Sequence, residues 1–276
     1  INVTQDGIIV DTMFTRVLQI DDPKDYPWKE LNVDLVLECT GAFTKLEDAY
    51  KHIEAGAKHV IISAPGKGEM KTIVYGVNDN LLERNDEVIS SASCTTNCLA
   101  PVLKLIEDNI GIESGFMSTI HAYTNDQNTL DGSHKKGIES RRGRTAAANI
   151  IPTSTGAAKA IGLVIPSLSG KMEGVAYRVP VIDGSMVDVT LTLNRETSKE
   201  EINNLFKNNE SEALKFTMDP VVSTDVVGLA TGALVDGLST KVLDVNKKQV
   251  KIVAWYDNEF GYTAQMIRVM DKLLKL

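Results

Sequence analysis

The sequence predicts an α/β unit built on a parallel sheet, joined to an α+β unit built on a mixed sheet, and three patterns predict it. Residues 33–93 alternate short apolar runs with helical periodicity, as buried parallel strands under helices do. From Val187 to Leu193 the apolar residues fall strictly at odd positions, which marks a sheet with one wet face. An amphipathic pattern from Asn258 onward closes the chain, and 276 residues suit two domains of roughly 100–200 each.

In chain order, Val33 to Leu37 reads as a buried strand ending at Thr40-Gly41, with Cys39 placed in the core. Leu46, Ala49, Tyr50 and Ile53 share one helical face, and Gly56 stands where a left-handed residue stops the helix. His59 to Ser63 is the next strand, ending in Ala64-Pro65-Gly66, and Ile73 to Val77 and Val88 to Ser91 are two more. Ligands of such sheets bind beyond the carboxyl ends of the strands, which points at Thr40-Gly41, Ser63-Ala64 and Ser91 to Cys94. A helix follows from Cys94 to Asn109. Beyond it, Val175 to Val181, Val227 to Leu234 and Val250 to Trp255 read as strands, and Thr155 to Ile165 and Ser198 to Asn208 as helices. The last helix offers Ala264, Ile267 and Leu274 to the core.

Hydrophobic residues make up 43% and charged residues 24%, and no apolar run approaches the roughly 20 residues of a membrane helix. A net charge of −8 with dispersed acids argues against nucleic acid as the main partner. Three cysteines, an odd number, point to a reducing compartment, here the cytoplasm, and the His and Cys spacings supply no metal set.

The chemistry lies in Ser93-Cys94-Thr95-Thr96-Asn97-Cys98 and in Ile120-His121-Ala122-Tyr123-Thr124-Asn125-Asp126-Gln127. A thiol opening a helix sits where free N–H groups and the dipole favour the thiolate, and His121 is a candidate base. Cys98 lies one turn deeper and reads as a packed thiol. Arg142, Arg178, Thr124, Thr155, Ser93 and Thr95 are donors suited to a phosphorylated substrate, and Thr155-Gly156 opens a helix whose N–H groups suit an anion.

These two motifs, with Pro152 to Ala160 and Ala254 to Tyr262, closely resemble phosphorylating glyceraldehyde-3-phosphate dehydrogenase, in matching order from about Pro27 to the end. The resemblance implies a Rossmann-like domain from residues 1–93 and 257–276 and a catalytic domain from 94–256. It implies oxidation of glyceraldehyde 3-phosphate with NAD and inorganic phosphate to 1,3-bisphosphoglycerate, through a thiohemiacetal and thioester on Cys94, with His121 as partner. By the same resemblance, Thr124 and Arg178 hold the substrate phosphate, and Ser93, Thr95, Thr155 and Gly156 hold the attacking phosphate. Arg142 falls in an arginine-rich loop serving both. Thr40, Gly41, Ser63 and Ala64 match positions lining the nicotinamide half of the cofactor site, Asn258 an amide-holding asparagine, and Tyr262 an aromatic beside the ring. A glycolytic, cytoplasmic homotetramer is implied as well.

The sequence departs from that family's pattern in three places. No Gly-x-Gly-x-x-Gly turn for a pyrophosphate occurs, so the expectation is a nucleotide-binding domain truncated at its N-terminal side. Lys135 to Ser140 replaces a more usual acidic and apolar pair. In Asp131-Gly132-Ser133-His134, Ser133 stands where many NAD-specific relatives carry Pro and some relatives that accept NADP carry Ser, so NADP tolerance is expected. The alternatives are an erythrose 4-phosphate dehydrogenase, a cofactor-free cysteine acyl transferase or hydrolase, and an inactive truncated form serving in binding or assembly.

Overall fold

A computed structural model describes residues 1–128, 132–137 and 139–276. Of the positions where the sequence departs from the family pattern, Asp131 and Ile138 lie outside the described residues. The chain opens with a three-stranded antiparallel meander, β1 (Asn2–Val3), β2 (Gly7–Val10) and β3 (Met13–Arg16). It continues into a four-stranded parallel sheet of β4 (Leu35–Glu38), β5 (His59–Ile62), β6 (Lys71–Thr72) and β7 (Val88–Ser90), in the order β4-β5-β7-β6. Ile61, Ile62 and Ile89 are fully buried, as the uninterrupted apolar runs require of strands covered on both faces.

Three expectations are corrected here. Ile73 to Val77 is not a strand, because the pairing stops at Thr72 and the Asn78 side chain accepts the Val74 N–H at 2.8 Å, folding the segment into a turn through Gly76 at φ +73°. Cys39 is exposed rather than core, since it follows an edge strand of the described sheet. Tyr50 is also exposed, and the helical stretch is two single turns, α1 (Leu46–Ala49) and α2 (Lys51–Glu54). Gly56 does stop this helix, at φ +109° and against the backbone of Lys29, where a Cβ would meet the Lys29 nitrogen at 2.7 Å.

Helix α3 (Cys94–Asn109) begins and ends as expected, with Ser93 Oγ accepting the Thr96 N–H at its start. It packs on a mixed eight-stranded sheet comprising β8 (Ile112–Ala122), β9 (Ile151–Ser154), β10 (Met172–Val179), β11 (Ser185–Leu193), β12 (Leu214–Thr217), β13 (Ala233–Asp236), β14 (Lys241–Leu243) and β15 (Asn246–Tyr256). Val187, Val189, Leu191 and Leu193 of β11 have no exposure at all, so the alternation does face the core, at roughly 1.5–3 kcal/mol for each side chain so buried. Val227 to Gly232 is not a strand: β13 begins only at Ala233, after Gly228 takes φ +84° and Gly232 comes against the backbone oxygens of Ala213 and Asn97.

Helices α4 (Ala157–Val164) and α5 (Lys199–Asn208) match their predicted spans within two residues. The closing helix α6 (Phe260–Leu273) packs on the parallel sheet through Met266, Val269 and Leu273, beside Ile61, Ile73 and Ile89. Its buried stripe is therefore rotated from the expected one: Ile267 and Leu274 are exposed, at 38% and 46%. Among the described residues no helix is long and apolar enough to cross a membrane.

Candidate active site

Cys94 owes its place to a sharp turn. Strand β7 ends at Ser90, Ala92 takes the left-handed conformation at φ +56°, and α3 starts immediately after, presenting Cys94 at the helix N-terminus. Beside it, β8 and β10 run parallel in a register that sets Arg178 opposite His121, so both side chains reach the same end of the sheet. Cys94 Sγ and His121 Nε2 are 3.4 Å apart.

The proton positions follow from the hydrogen bonds. His121 Nδ1 lies 2.7 Å from the Ala122 carbonyl, which only accepts, so Nδ1 carries the proton and Nε2 turns a lone pair toward the thiol. Arg178 Nη1 donates to that same carbonyl at 2.8 Å and to Thr124 Oγ1 at 2.9 Å, and lies 3.1 Å from Nδ1. Burial, with the Arg178 charge adding to it, pulls His121 down to about 4, so the ring is a neutral base at physiological pH. Packing around Cys94 pushes its thiol above the ordinary value, and Arg178 and the Thr95 N–H only partly oppose this. The sequence suggested a thiolate favoured by the helix start. The geometry instead holds thiol and neutral imidazole in contact, ready to exchange a proton.

A cleft of about 590 Å³ opens over this pair and is lined by Ser63, Ala64, Ser93, Thr95, Arg142, Thr155, Gly156, Arg178, Asn258 and Tyr262 as well as Cys94 and His121. Twelve of the fifteen predicted site residues thus share one cavity. Thr124 stands behind Arg178 as its hydrogen-bond partner, while Thr40 and Gly41 lie at the end of β4, outside the lining. A larger cavity of about 710 Å³, walled by Asp34, Lys58, His59 and Arg84, lies at the opposite ends of β4 and β5 and has no cysteine, serine or threonine in its lining. We place the chemistry in the smaller one on that ground. Among the described residues no cluster of His, Cys, Asp and Glu could hold a metal ion.

The donors fit an anion. Arg178 Nε is buried without a hydrogen-bond partner, a cost relieved when an acceptor enters. Thr155 Oγ1 accepts the Ala157 N–H at the start of α4, leaving Gly156 at that helix's N-cap facing the cleft. The other wall, of Ser63, Ala64, Pro65 and Tyr262, is made of small residues and one ring, as a flat heteroaromatic ring requires. Asn258 Oδ1 accepts from Ser185 Oγ at 2.6 Å, and its Nδ2 makes only a long 3.4 Å contact to Glu259, so an amide N–H remains for a ligand carboxamide.

Several contributors escaped the sequence reading. Asp126 pairs with Arg142 and accepts from Thr124, although it stands inside a motif already singled out. Tyr256 is fully buried, its hydroxyl 3.0 Å from Thr95 Oγ1 and 2.8 Å from Thr119 Oγ1 and its ring edge against His121. Ser185 bonds Asn258 and the Ala122 N–H, and nothing in its local sequence signals this.

Residues 93–258 match the family model described as the glyceraldehyde 3-phosphate dehydrogenase C-terminal domain, which is more than half the chain. The chain belongs to the glyceraldehyde 3-phosphate dehydrogenase family. Residues 1–46 match the NAD binding domain of glyceraldehyde 3-phosphate dehydrogenase, so the resemblance first drawn from about Pro27 extends to Ile1. The glyceraldehyde-3-phosphate dehydrogenases of Clostridium pasteurianum and Clostridium acetobutylicum are each 52% identical over the whole of this chain, which spans 83% of theirs. That of Streptococcus pyogenes is 49% identical over the whole chain and 82% of its own length. The glyceraldehyde 3-phosphate dehydrogenase fold thus accounts for the parallel sheet and the mixed sheet, and the chain is a dehydrogenase that works with a nicotinamide cofactor.

Proposed function

We propose that the enzyme oxidises D-glyceraldehyde 3-phosphate to 1,3-bisphosphoglycerate with NAD and inorganic phosphate. The observation that carries this reading is the Cys94–His121 contact at the floor of a cleft whose other donors, Arg178 and Arg142, suit phosphate. Its catalytic residues are Cys94 and His121, and residues 94–256 form the catalytic domain. Residues 1–93 and 257–276 form the nucleotide-binding domain, a division supported by the packing of α6 on the parallel sheet.

His121 Nε2 takes the Cys94 proton as Sγ bonds to the aldehyde carbon, the carbonyl electron pair moves to oxygen, and the imidazolium returns that proton to the oxygen, giving the thiohemiacetal and a neutral His121. Arg178, with Thr124 behind it, fixes the substrate's phosphate and so the distance of its aldehyde from Sγ. Bound nicotinamide supplies the acceptor for the hydride that the thiohemiacetal carbon must lose. His121 removes the hydroxyl proton as the hydride leaves, and a thioester to Cys94 remains. Phosphate held by Ser93, Thr95, Thr155 and Gly156 then attacks the thioester carbon, the C–S bond breaks, and the acyl phosphate departs. Ser63, Ala64, Asn258 and Tyr262, with the Thr40-Gly41 turn, would hold the nicotinamide half.

Steady-state NADH absorbance tests the reading: formation must require both the aldehyde and inorganic phosphate. Ester cleavage without cofactor would replace it with a simple acyl transferase. The same assay with erythrose 4-phosphate fixes the preferred aldehyde. Initial rates with NADP test whether Ser133 confers tolerance, and light scattering tests the homotetramer that family membership suggests.

A further inference from the structure

A buried acid and imidazole lie away from the chemistry, in the nucleotide-binding sheet. Glu38 ends β4 and His52 lies on α2, each only 4% exposed, and their Oε2 and Nε2 atoms are 3.2 Å apart. Trp28 Nε1 is 3.0 Å from His52 Nδ1. An indole N–H only donates, so Nδ1 accepts and the ring proton sits on Nε2, donated to Glu38. The tautomer is enclosed by Tyr26, stacked on Trp28 with centroids 4.6 Å apart, and by Phe43, edge-on to His52 at 6.5 Å.

The second carboxylate oxygen faces the other way. Glu38 Oε1 accepts the Thr40 backbone N–H at 2.8 Å and also the Thr40 hydroxyl, whose own oxygen accepts the Ala42 N–H at 3.1 Å. Burial pushes the Glu38 carboxyl up, but the hydrogen bonds from His52 and Thr40 outweigh it and leave the group below its ordinary value. Both donors of Thr40 are thereby turned inward. What the turn presents outward is Gly41, at φ +73° with nothing within 4 Å of where its Cβ would be.

We propose that Glu38 is a positioning residue for the cofactor, its carboxylate locked through His52 by Trp28 so that the Thr40-Gly41 turn is shaped in advance for the nicotinamide half. This rests on the reading that the turn touches the cofactor. Each oxygen of Glu38 faces a donor, so an amide at this position must set its NH₂ against either His52 Nε2–H or the Thr40 donors. The conflict depends on Trp28, because removing its N–H frees His52 to take the other tautomer and accept from the amide.

The test is calorimetric titration of the full-length protein with NAD, alongside thermal unfolding of each variant. Glu38→Gln is expected to weaken binding about tenfold, Trp28→Phe alone to leave it near the native value, and the double variant to return within about twofold of native. A purely structural role predicts that the two substitutions add rather than cancel. Native affinity in a folded Glu38→Gln protein, or weak binding in a folded double variant, would overturn the proposal. The double variant decides the matter even where Glu38→Gln alone does not fold. Gly41→Ala separates the two layers: unchanged NAD affinity there removes the turn from the cofactor site, whereas weakened affinity with a native-like Glu38→Gln rejects only the role of Glu38.

Discussion

Arg178 and His121 face each other across paired parallel strands, with Arg178 Nη1 3.1 Å from His121 Nδ1 and both bound to the carbonyl of Ala122. The arginine therefore does two things at once: it offers an anion site, and its charge helps to keep the imidazole neutral with Nε2 free to accept the Cys94 proton.

Replacing either member of the pair separates nucleophile from base. Cys94→Ser should abolish NADH formation, and His121→Asn should lower kcat by about 10²–10⁴ while leaving the thiol to react slowly. Steady-state rates with each variant check this, and near-native turnover in either would contradict it.

The His121 pKa also sets a stability window. It is about 4 in the folded protein against an ordinary 6.5, so between these values the unfolded chain binds more protons and stability rises with pH. The contribution is fully present above about pH 6.5 and is lost as pH falls toward 4, by about 3 kcal/mol for a group this buried. Urea midpoints across this range should fall steeply for the native protein and less steeply for His121→Asn.

Arg178→Lys removes the planar fork and two of its donors. The KM for the phosphorylated aldehyde should rise about 10- to 100-fold, with a smaller change for an unphosphorylated aldehyde of the same chain length. Equal losses for both substrates would mean that Arg178 serves the imidazole alone.

Gly56→Ala tests the turn behind the helix that carries His52. A Cβ there meets Lys29 Cβ at 2.5 Å and its nitrogen at 2.7 Å, with φ at +109°, so about 2–4 kcal/mol of destabilisation is expected in urea unfolding.

What was legible in the sequence was whatever depends on local signals. The apolar helical pattern placed α3 at Cys94–Asn109, and strict alternation placed the buried face of β11. Positions set by distant neighbours were not legible. Cys39 follows an edge strand, and the α6 stripe turns to meet Ile61 and Ile89; the local capture of the Val74 N–H by the Asn78 side chain, which ends the expected strand at Ile73 to Val77, was missed as well. At the site, twelve of the fifteen motif residues converge, but Tyr256 and Ser185 bond partners up to 161 residues away, which no spacing rule reports. Burial, which pushes the Cys94 thiol up, is a property of the assembled walls, so the helix start alone reports only the opposing pull toward the thiolate.

The central claim is a thioester on Cys94 released by phosphate. Mixing the protein with glyceraldehyde 3-phosphate and NAD without phosphate, then taking intact and peptide masses, tests it most directly. The account predicts a single burst of NADH, one acyl group on the peptide carrying Cys94, and turnover on adding phosphate. Sustained turnover without phosphate, or a burst with no adduct on Cys94, would contradict it.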